Sequence, residues 1–181
     1  MSGHNKYSQI KDRKGAQDKK RSLVFSKYLK AIAIAARADA NPTTNFKLRS
    51  AIERAKINKV PLENVERALS RASEDETLEE VTIEAYGPES TAMIIEGITD
   101  NSNRTVSEVR NILTKNDAKV ADAGSVLWAF SAEGGSSSGG ETKWKAKFPQ
   151  AISEAAKQKL QSLVTALEAH EDIQRVITNA E

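Results

Sequence analysis

Residues 81–99, which read VTIEAYGPESTAMIIEGIT, decide the fold of the second half of the chain. In residues 81–86, apolar and polar side chains alternate, the period of a strand with one buried face. Residues 91–99 form an almost continuous β-rich run, and the Gly-Pro-Glu-Ser stretch between the two segments is typical of a turn. The segment therefore predicts a β-hairpin beginning near Leu78.

Further elements are predicted on the C-terminal side of this hairpin. A capping-box sequence, Thr105–Glu108, predicts the start of a helix that ends near Asn116. Periodicity then predicts three strands, at 125–130, 142–148 and 173–178, and a helix from about Ser153 to His170. We expect an α+β domain of ferredoxin-like type, with helices on one face of a mainly antiparallel sheet.

The N-terminal part has helical periodicity instead. Apolar residues at three- and four-residue spacing predict helices at about 18–38, 44–57 and 61–72, the last with Pro61 in its first turn. Residues 2–18 have little apolar periodicity and are predicted to form an arm. We divide the chain into 1–76, a basic arm with a three-helix domain, and 77–181, the α+β domain. Residues 134–140, GGSSSGG, are predicted to be a flexible linker.

Charge is distributed unequally between the two parts. Residues 1–72 contain 17 Lys and Arg against 6 Asp and Glu, a net charge of +11, whereas residues 73–181 contain 10 against 19, a net of −9. A positive field of this size attracts polyanions, which favours nucleic acid as the partner. A solvated helical face with internal ion pairs is the alternative, and neutralisation by the acidic part of the same molecule would refute the interpretation.

Two groups of side chains are candidates for this contact. In the predicted arm, four cations would bind phosphates while Tyr7 stacks on a base, although the arm could instead be a frayed tail. Three cations in the first helical turn oppose the helix dipole, a cost that a bound anion would remove. The cations are Lys6, Lys11, Arg13, Lys14, Lys19, Lys20 and Arg21.

The loop 100–104 is a second candidate. Asn101, Asn103 and Arg104 offer amides and a guanidinium at a predicted helix N-terminus, where an anion is favoured. A structural turn, in which Asp100 and Asn101 satisfy backbone donors, is the alternative.

Several functional classes are disfavoured by composition. There is no cysteine, and the two histidines, His4 and His170, lie at opposite ends of the chain, so we expect no metal site. No cofactor fingerprint, P-loop or Ser-His-Asp set is present, and we expect no cofactor, no small-molecule substrate and no enzymatic activity. No apolar stretch reaches the roughly 20 residues that a membrane span needs.

Several ordered segments resemble the YebC family, which includes the mitochondrial translational activators of cytochrome c oxidase subunit one. The similar segments are Gly3–Tyr7 with Ile10-Lys11 and Lys14, Pro61 with Asn64, Glu66 and Arg67, Tyr86–Pro88, Thr99–Asn101 with Asn103–Thr105, Gly124–Val126 with Phe130, and Asp172–Glu181. His4 becomes a candidate contact through this resemblance. Tyr7, Asp12 and Ser102 depart from the usual residues, and the linker stands where relatives usually carry a third domain.

The resemblance implies a translation factor that binds the ribosome, through rRNA or tRNA, and relieves stalled synthesis. Some members of the family are described as DNA-binding transcriptional regulators, the competing hypothesis, although no helix-turn-helix signature is evident. We expect a monomer, located in the mitochondrial matrix if the source is eukaryotic and in the cytoplasm if it is bacterial.

Overall fold

Three helices precede a mixed part of strands and helices. The computed structural model describes residues 4–72, 77–134 and 142–181, and the side chains of residues 4–14 and 16 lie outside this description. The helical part contains α1 (His4–Ala36), α2 (Phe46–Ile57) and α3 (Leu62–Arg71). The mixed part contains β1 (Glu79–Tyr86), β2 (Ala92–Thr99), α4 (Ser102–Lys115), β3 (Lys119–Val120), β4 (Phe130–Glu133), β5 (Lys143–Ala146), α5 (Glu154–Glu168) and β6 (Ile173–Thr178).

The main sheet is antiparallel, with the strand order β3-β1-β2-β6. The predicted hairpin is confirmed, with Val81 opposite Gly97 in its register. Helices α4 and α5 pack on one face of the sheet through an apolar core that includes Met93, Leu113 and Leu163. This arrangement confirms the α+β class. The order along the chain differs from the β-α-β-β-α-β order of ferredoxin-like folds, because the β1–β2 hairpin precedes both helices.

The opposite face of the sheet is covered by a smaller layer. Ile94 on this face packs with Val126, Ala129 and Phe130. Phe130 also begins β4, which pairs with β5 as a two-stranded antiparallel ribbon, with Phe130 opposite Ala146. The ribbon and the loop before it therefore form a second layer on the side away from α4 and α5.

Helix α1 is longer than the sequence predicted. It contains 33 residues and extends about 50 Å, so the prediction of an arm is wrong for residues 4–18. Gly15 and residues 17–22 are all exposed, which means that every face of the helix is open there. A stretch of helix that is exposed on every side needs no apolar stripe. Its Lys, Arg, Gln and Ala residues have high helix propensity, and the helix can propagate into this segment from the packed half of α1.

The C-terminal half of α1 lies between the other two helices and the sheet. Ile32 and Ala35 are buried against α2 and α3 in one apolar cluster. Ala33, on another side of α1, packs with Leu78 and Ile98. Because α1 contacts both parts of the molecule, it links the basic helices to the α+β part.

Two predictions in the α+β part are wrong: the start of one helix and the assignment of one strand. Helix α4 begins at Ser102 with Asn101 as its N-cap, and not at the predicted capping box, because the Thr105 hydroxyl is buried and donates to Asp172. Of the segment predicted as a strand at 125–130, only Phe130 is in a strand; residues 125 and 126 form a turn and Leu127–Ala129 a short 3-10 helix. The buried Glu84 carboxylate accepts hydrogen bonds from backbone amides of this turn, which prevents strand pairing.

The predicted linker 134–140 lies outside the described residues except for Gly134. The predicted domain boundary falls at residues 73–76, which also lie outside them, and the division stays a prediction. Among the helices in the described ranges, none has the length and apolar character needed to cross a membrane.

Candidate nucleic-acid interface

The exposed stretch of α1 presents three successive cations, Lys19, Lys20 and Arg21. Lys19 and Lys20 form no ion pair with any side chain that the structure describes, and the Arg21 guanidinium lies 5.1 Å from the centre of the Phe25 ring. That contact orients the arginine and leaves its charge uncompensated. The backbone of the other predicted contacts is part of the same helix, but their side chains lie outside the described residues; they are His4, Lys6, Tyr7, Lys11, Arg13 and Lys14.

A groove between α1 and α3 adds cations that the sequence analysis did not include among the contacts. The added cations are Arg67 and Arg71, which line it together with Arg21. Arg67 pairs with Glu63 at 2.8 Å, but both side chains are exposed and such a pair contributes only about 0.3–0.5 kcal/mol. A phosphate could therefore replace the carboxylate. The four-residue spacing of Arg67 and Arg71 on one helix face was the signal that could have identified them.

Cations nearer the α+β part are used inside the molecule. Lys30 pairs with Asp172 and Lys47 with Glu80, each at 2.5 Å. Lys27 donates to the carbonyl oxygen of Glu168, and burial lowers the pKa of its amino group. Acidic side chains of the α+β part thus pair with Lys30 of α1 and Lys47 of α2, whereas positions 19–21 lie beyond these pairs.

The loop 100–104 is occupied by its own hydrogen bonds. The Asn101 side chain accepts from the Arg104 amide at 3.1 Å, and the Ser102 amide donates to Glu79 at 3.3 Å. The Arg104 guanidinium pairs with Asp100 at 2.7 Å and with Asp172 at 3.0 Å. Asn103 is exposed. This geometry favours the structural alternative for Asn101 and Arg104, because carboxylates already occupy the positions that an anion would take.

Asp172 joins this loop to α1. Its carboxylate is fully buried and accepts hydrogen bonds from Lys30, Arg104 and Thr105. Burial is the largest influence on the pKa of Asp172 and acts to raise it, but these hydrogen bonds together hold the pKa below its ordinary value. The charged carboxylate therefore connects the helical part to the α+β part.

One cluster in the described ranges has the composition of a metal site, namely Glu108, His170 and Asp172. The His170 Nε2 atom lies 2.8 Å from Glu108, and its Nδ1 atom accepts from the Asp172 amide. Because two cationic side chains already hold the Asp172 carboxylate, a divalent ion would compete with Lys30 and Arg104. The cluster is explained as a structural network.

Comparisons with known proteins agree on one family. Residues 5–75 match the family model described as the TACO1/YebC protein N-terminal domain, and residues 78–141 match its second and third domain. Two relatives, from Citrifermentans bemidjiense and Fervidobacterium nodosum, are each named a probable transcriptional regulatory protein. They are 48% and 46% identical over 138 residues, which is 74% of this chain.

The chain spans about half of these relatives, 56% and 55% of their lengths. This is consistent with the absence of the inserted third domain, and β4 pairs directly with β5 at that point. The crystal structure of a conserved hypothetical protein from Aquifex aeolicus is similar, with a TM-score of 0.79, 29% identity and coverage of 89% of this chain and 90% of that one. The two family models together span most of the sequence, and this chain belongs to the TACO1/YebC family.

Proposed function

We propose that the protein is a non-catalytic, ribosome- or RNA-associated translation factor, which holds rRNA or tRNA against α1 and the α1–α3 groove. One observation carries the proposal: Lys19, Lys20 and Arg21 are exposed on a helix whose surroundings are open, and they lie beyond the described ion pairs with the acidic part. The translational role, including relief of stalled synthesis, comes from the resemblance to translational activators.

The binding mode follows from the geometry of α1. Residues 4–22 form a helical segment about 28 Å long, which can follow a phosphate backbone over several nucleotides. Contacts to phosphates fix position and orientation without selecting a base sequence. Structured RNA suits such a surface, because proteins recognise it largely by shape and by its sugar-phosphate backbone.

A DNA-binding transcriptional regulator is the second candidate, and the names of the relatives favour it. Helices α2 and α3 are also joined by only four residues, Asn58–Pro61, a length found in helix-turn-helix motifs. However, the first half of α3 carries Glu63 and Glu66, both exposed. Residues at this end of a recognition helix contact base edges, and two carboxylates there would face repulsion from DNA phosphates. These carboxylates disfavour α3 as a recognition helix in a DNA major groove, and the resemblance to translational activators then favours RNA.

The test replaces three cations on α1 in the complete chain. In the α1 triple variant, Lys19→Ala, Lys20→Ala and Arg21→Ala are combined. Binding to single-stranded RNA is measured as a function of salt. Each lost phosphate contact reduces the magnitude of the slope of log K against log salt by about 0.7, so the slope of the variant should be smaller by about 2. If the variant and the unchanged protein bind equally at 1 M salt, the variant should then bind about 100-fold more weakly at 0.1 M salt.

The matched control removes the same charge from exposed positions of the acidic part. The control variant combines Arg110→Ala, Lys115→Ala and Lys159→Ala, all on α4 or α5. We expect it to co-sediment with ribosomes as the unchanged protein does. Equal loss in both triple variants would mean that net charge alone governs binding and would refute the α1 interface. Tighter binding to promoter DNA than to ribosomes at physiological salt would favour the regulator.

A further inference from the structure

Two aromatic rings stand side by side on the surface of the α+β part, far along the chain from α1. Trp128 is 62% exposed and Phe148 is 50% exposed. Their ring centres are 5.6 Å apart and their planes are tilted by 42°. We call this pair the aromatic platform. Exposed aromatic rings offer apolar faces of the kind on which nucleobases stack, and here two such rings are held in contact with each other.

The platform is held in place by polar contacts beneath it. The Trp128 indole N–H donates to the carbonyl oxygen of Ser125 at 2.8 Å, and the Tyr86 hydroxyl donates to the same oxygen at 3.1 Å. The buried Glu84 carboxylate accepts from the Val126 amide at 2.8 Å, which fixes the turn that carries Trp128. A platform that is already ordered loses little conformational entropy when a ligand binds.

Cations surround the platform within an otherwise acidic half. The Lys147 amino group lies 5.3 Å from the centre of the Phe148 ring, and the Lys119 amino group lies 5.7 Å from that of Tyr86. Lys143 and Lys145 are exposed on the adjacent β5. Four of the 10 Lys and Arg residues of the acidic half therefore belong to this surface or the neighbouring strand. Glu133 lies opposite Lys143 across the ribbon and can compensate the charge of that lysine.

We propose that the aromatic platform is a second nucleic-acid contact, which stacks unpaired bases of single-stranded RNA while the surrounding lysines bind the adjacent phosphates. Aromatic rings with flanking cations suit a ligand that carries both bases and negative charge. Duplexes suit it less, because their bases are stacked on one another. The proposal rests on the proposed function, since it assigns an RNA contact to the same factor.

The first test uses the intrinsic fluorescence of the complete chain. Trp144 donates to Glu96 and is partly buried, so Trp144→Phe leaves Trp128 as the remaining tryptophan. The probes are a 12-nucleotide oligoadenylate and an abasic sugar-phosphate oligomer of the same length. We expect the oligoadenylate to quench the Trp128 emission and the abasic oligomer to leave it unchanged. Binding of oligoadenylate without quenching would overturn the platform.

The second test compares variants. In the platform variant, Trp128→Ala and Phe148→Ala are combined; both side chains are largely exposed, and retention of the fold is checked by circular dichroism and urea unfolding. Because stacking of a base on an aromatic ring changes affinity by roughly 5- to 150-fold, we expect a loss of that size for oligoadenylate and none for the abasic oligomer. The α1 triple variant should weaken both oligomers equally.

The outcomes separate the two proposals. If only the α1 triple variant weakens binding, the platform is refuted and the proposed function remains. If only the platform variant does so, the α1 interface fails and the platform remains. No binding of either oligomer by the unchanged protein at physiological salt would refute the platform, whereas the α1 interface is decided by the co-sedimentation of the α1 triple variant with ribosomes. Concentration-dependent quenching in the absence of RNA would show that the platform contacts a second copy of the chain, which also overturns it.

Discussion

Replacement of Asp172 by asparagine tests the connection between the helical part and the α+β part. The carboxylate is fully buried and accepts from Lys30 at 2.5 Å, from Thr105 at 2.7 Å and from Arg104 at 3.0 Å. Asparagine has nearly the same volume, so the substitution removes the negative charge with little change in packing. The two cations then remain without their shared partner.

The size of the effect follows from the exposure of these partners. Removal of one member of a buried ion pair costs about 3–5 kcal/mol. The side chains of Lys30 and Arg104 are 20% and 39% exposed, so water replaces part of the lost interaction. Arg104 also keeps its pair with Asp100. We therefore expect the free energy of unfolding to fall by about 2–4 kcal/mol at pH 7.

The pH dependence has a definite sign. The pKa of Asp172 is lowered in the folded protein, because hydrogen bonds from Lys30, Thr105 and Arg104 outweigh the opposing effect of burial. Its stabilising contribution is therefore complete above the unfolded pKa, about 3.9, and is lost as the pH falls further. The difference in stability between the original protein and the variant should shrink below about pH 4.

Urea unfolding, followed by circular dichroism between pH 7 and pH 3, measures both effects. Glu171→Gln is the matched control, because it removes the same charge from the adjacent, exposed position. Equal unfolding midpoints for Asp172→Asn and this control at pH 7 would refute the reasoning. A difference that stayed constant down to pH 3 would contradict its electrostatic part.

Three other substitutions test the local geometry. Gly97→Ala should destabilise the protein by about 1–3 kcal/mol in urea unfolding, because the new Cβ atom would lie 2.8 Å from the carbonyl oxygen of Asp172. Gly15→Ala meets no atom within 4 Å and should raise the helical circular dichroism signal, since glycine costs about 0.5–1 kcal/mol inside a helix; an unchanged signal would contradict the helix at this position. Glu84→Gln should cost about 1–3 kcal/mol and shift tryptophan emission, because its carboxylate holds the amides of the turn 124–127.

Short-range patterns predicted much of the fold. The alternation in β1 and the turn after it predicted the hairpin, and the bounds of β6 agree with the prediction at both ends. The N-terminus of α4 was misplaced because Asn101 and Thr105 both belong to residue types that cap helices. Their roles depend on Asp172, which is distant in sequence and receives the Thr105 hydroxyl.

The candidate contacts were predicted less completely. Composition identified the surplus of cations, but it did not distinguish Lys19, which is exposed, from Lys30, which pairs with Asp172. Arg67 and Arg71 emerged only when α3 was placed beside α1. Arg104 resembled an anion-binding residue in the sequence, yet its guanidinium holds two carboxylates of its own chain.

The sequence by itself determined the separation of charge, the helices, the hairpin and the family resemblance, because each depends on residues close together in the chain or on composition. Tertiary structure alone decided which cations are neutralised, that α1 continues as an exposed helix beyond its packed half, and that Trp128 and Phe148 meet at the surface. The physical reason is that an ion pair or a ring contact depends on distance in space, which is set by the packing of residues that are far apart in the chain.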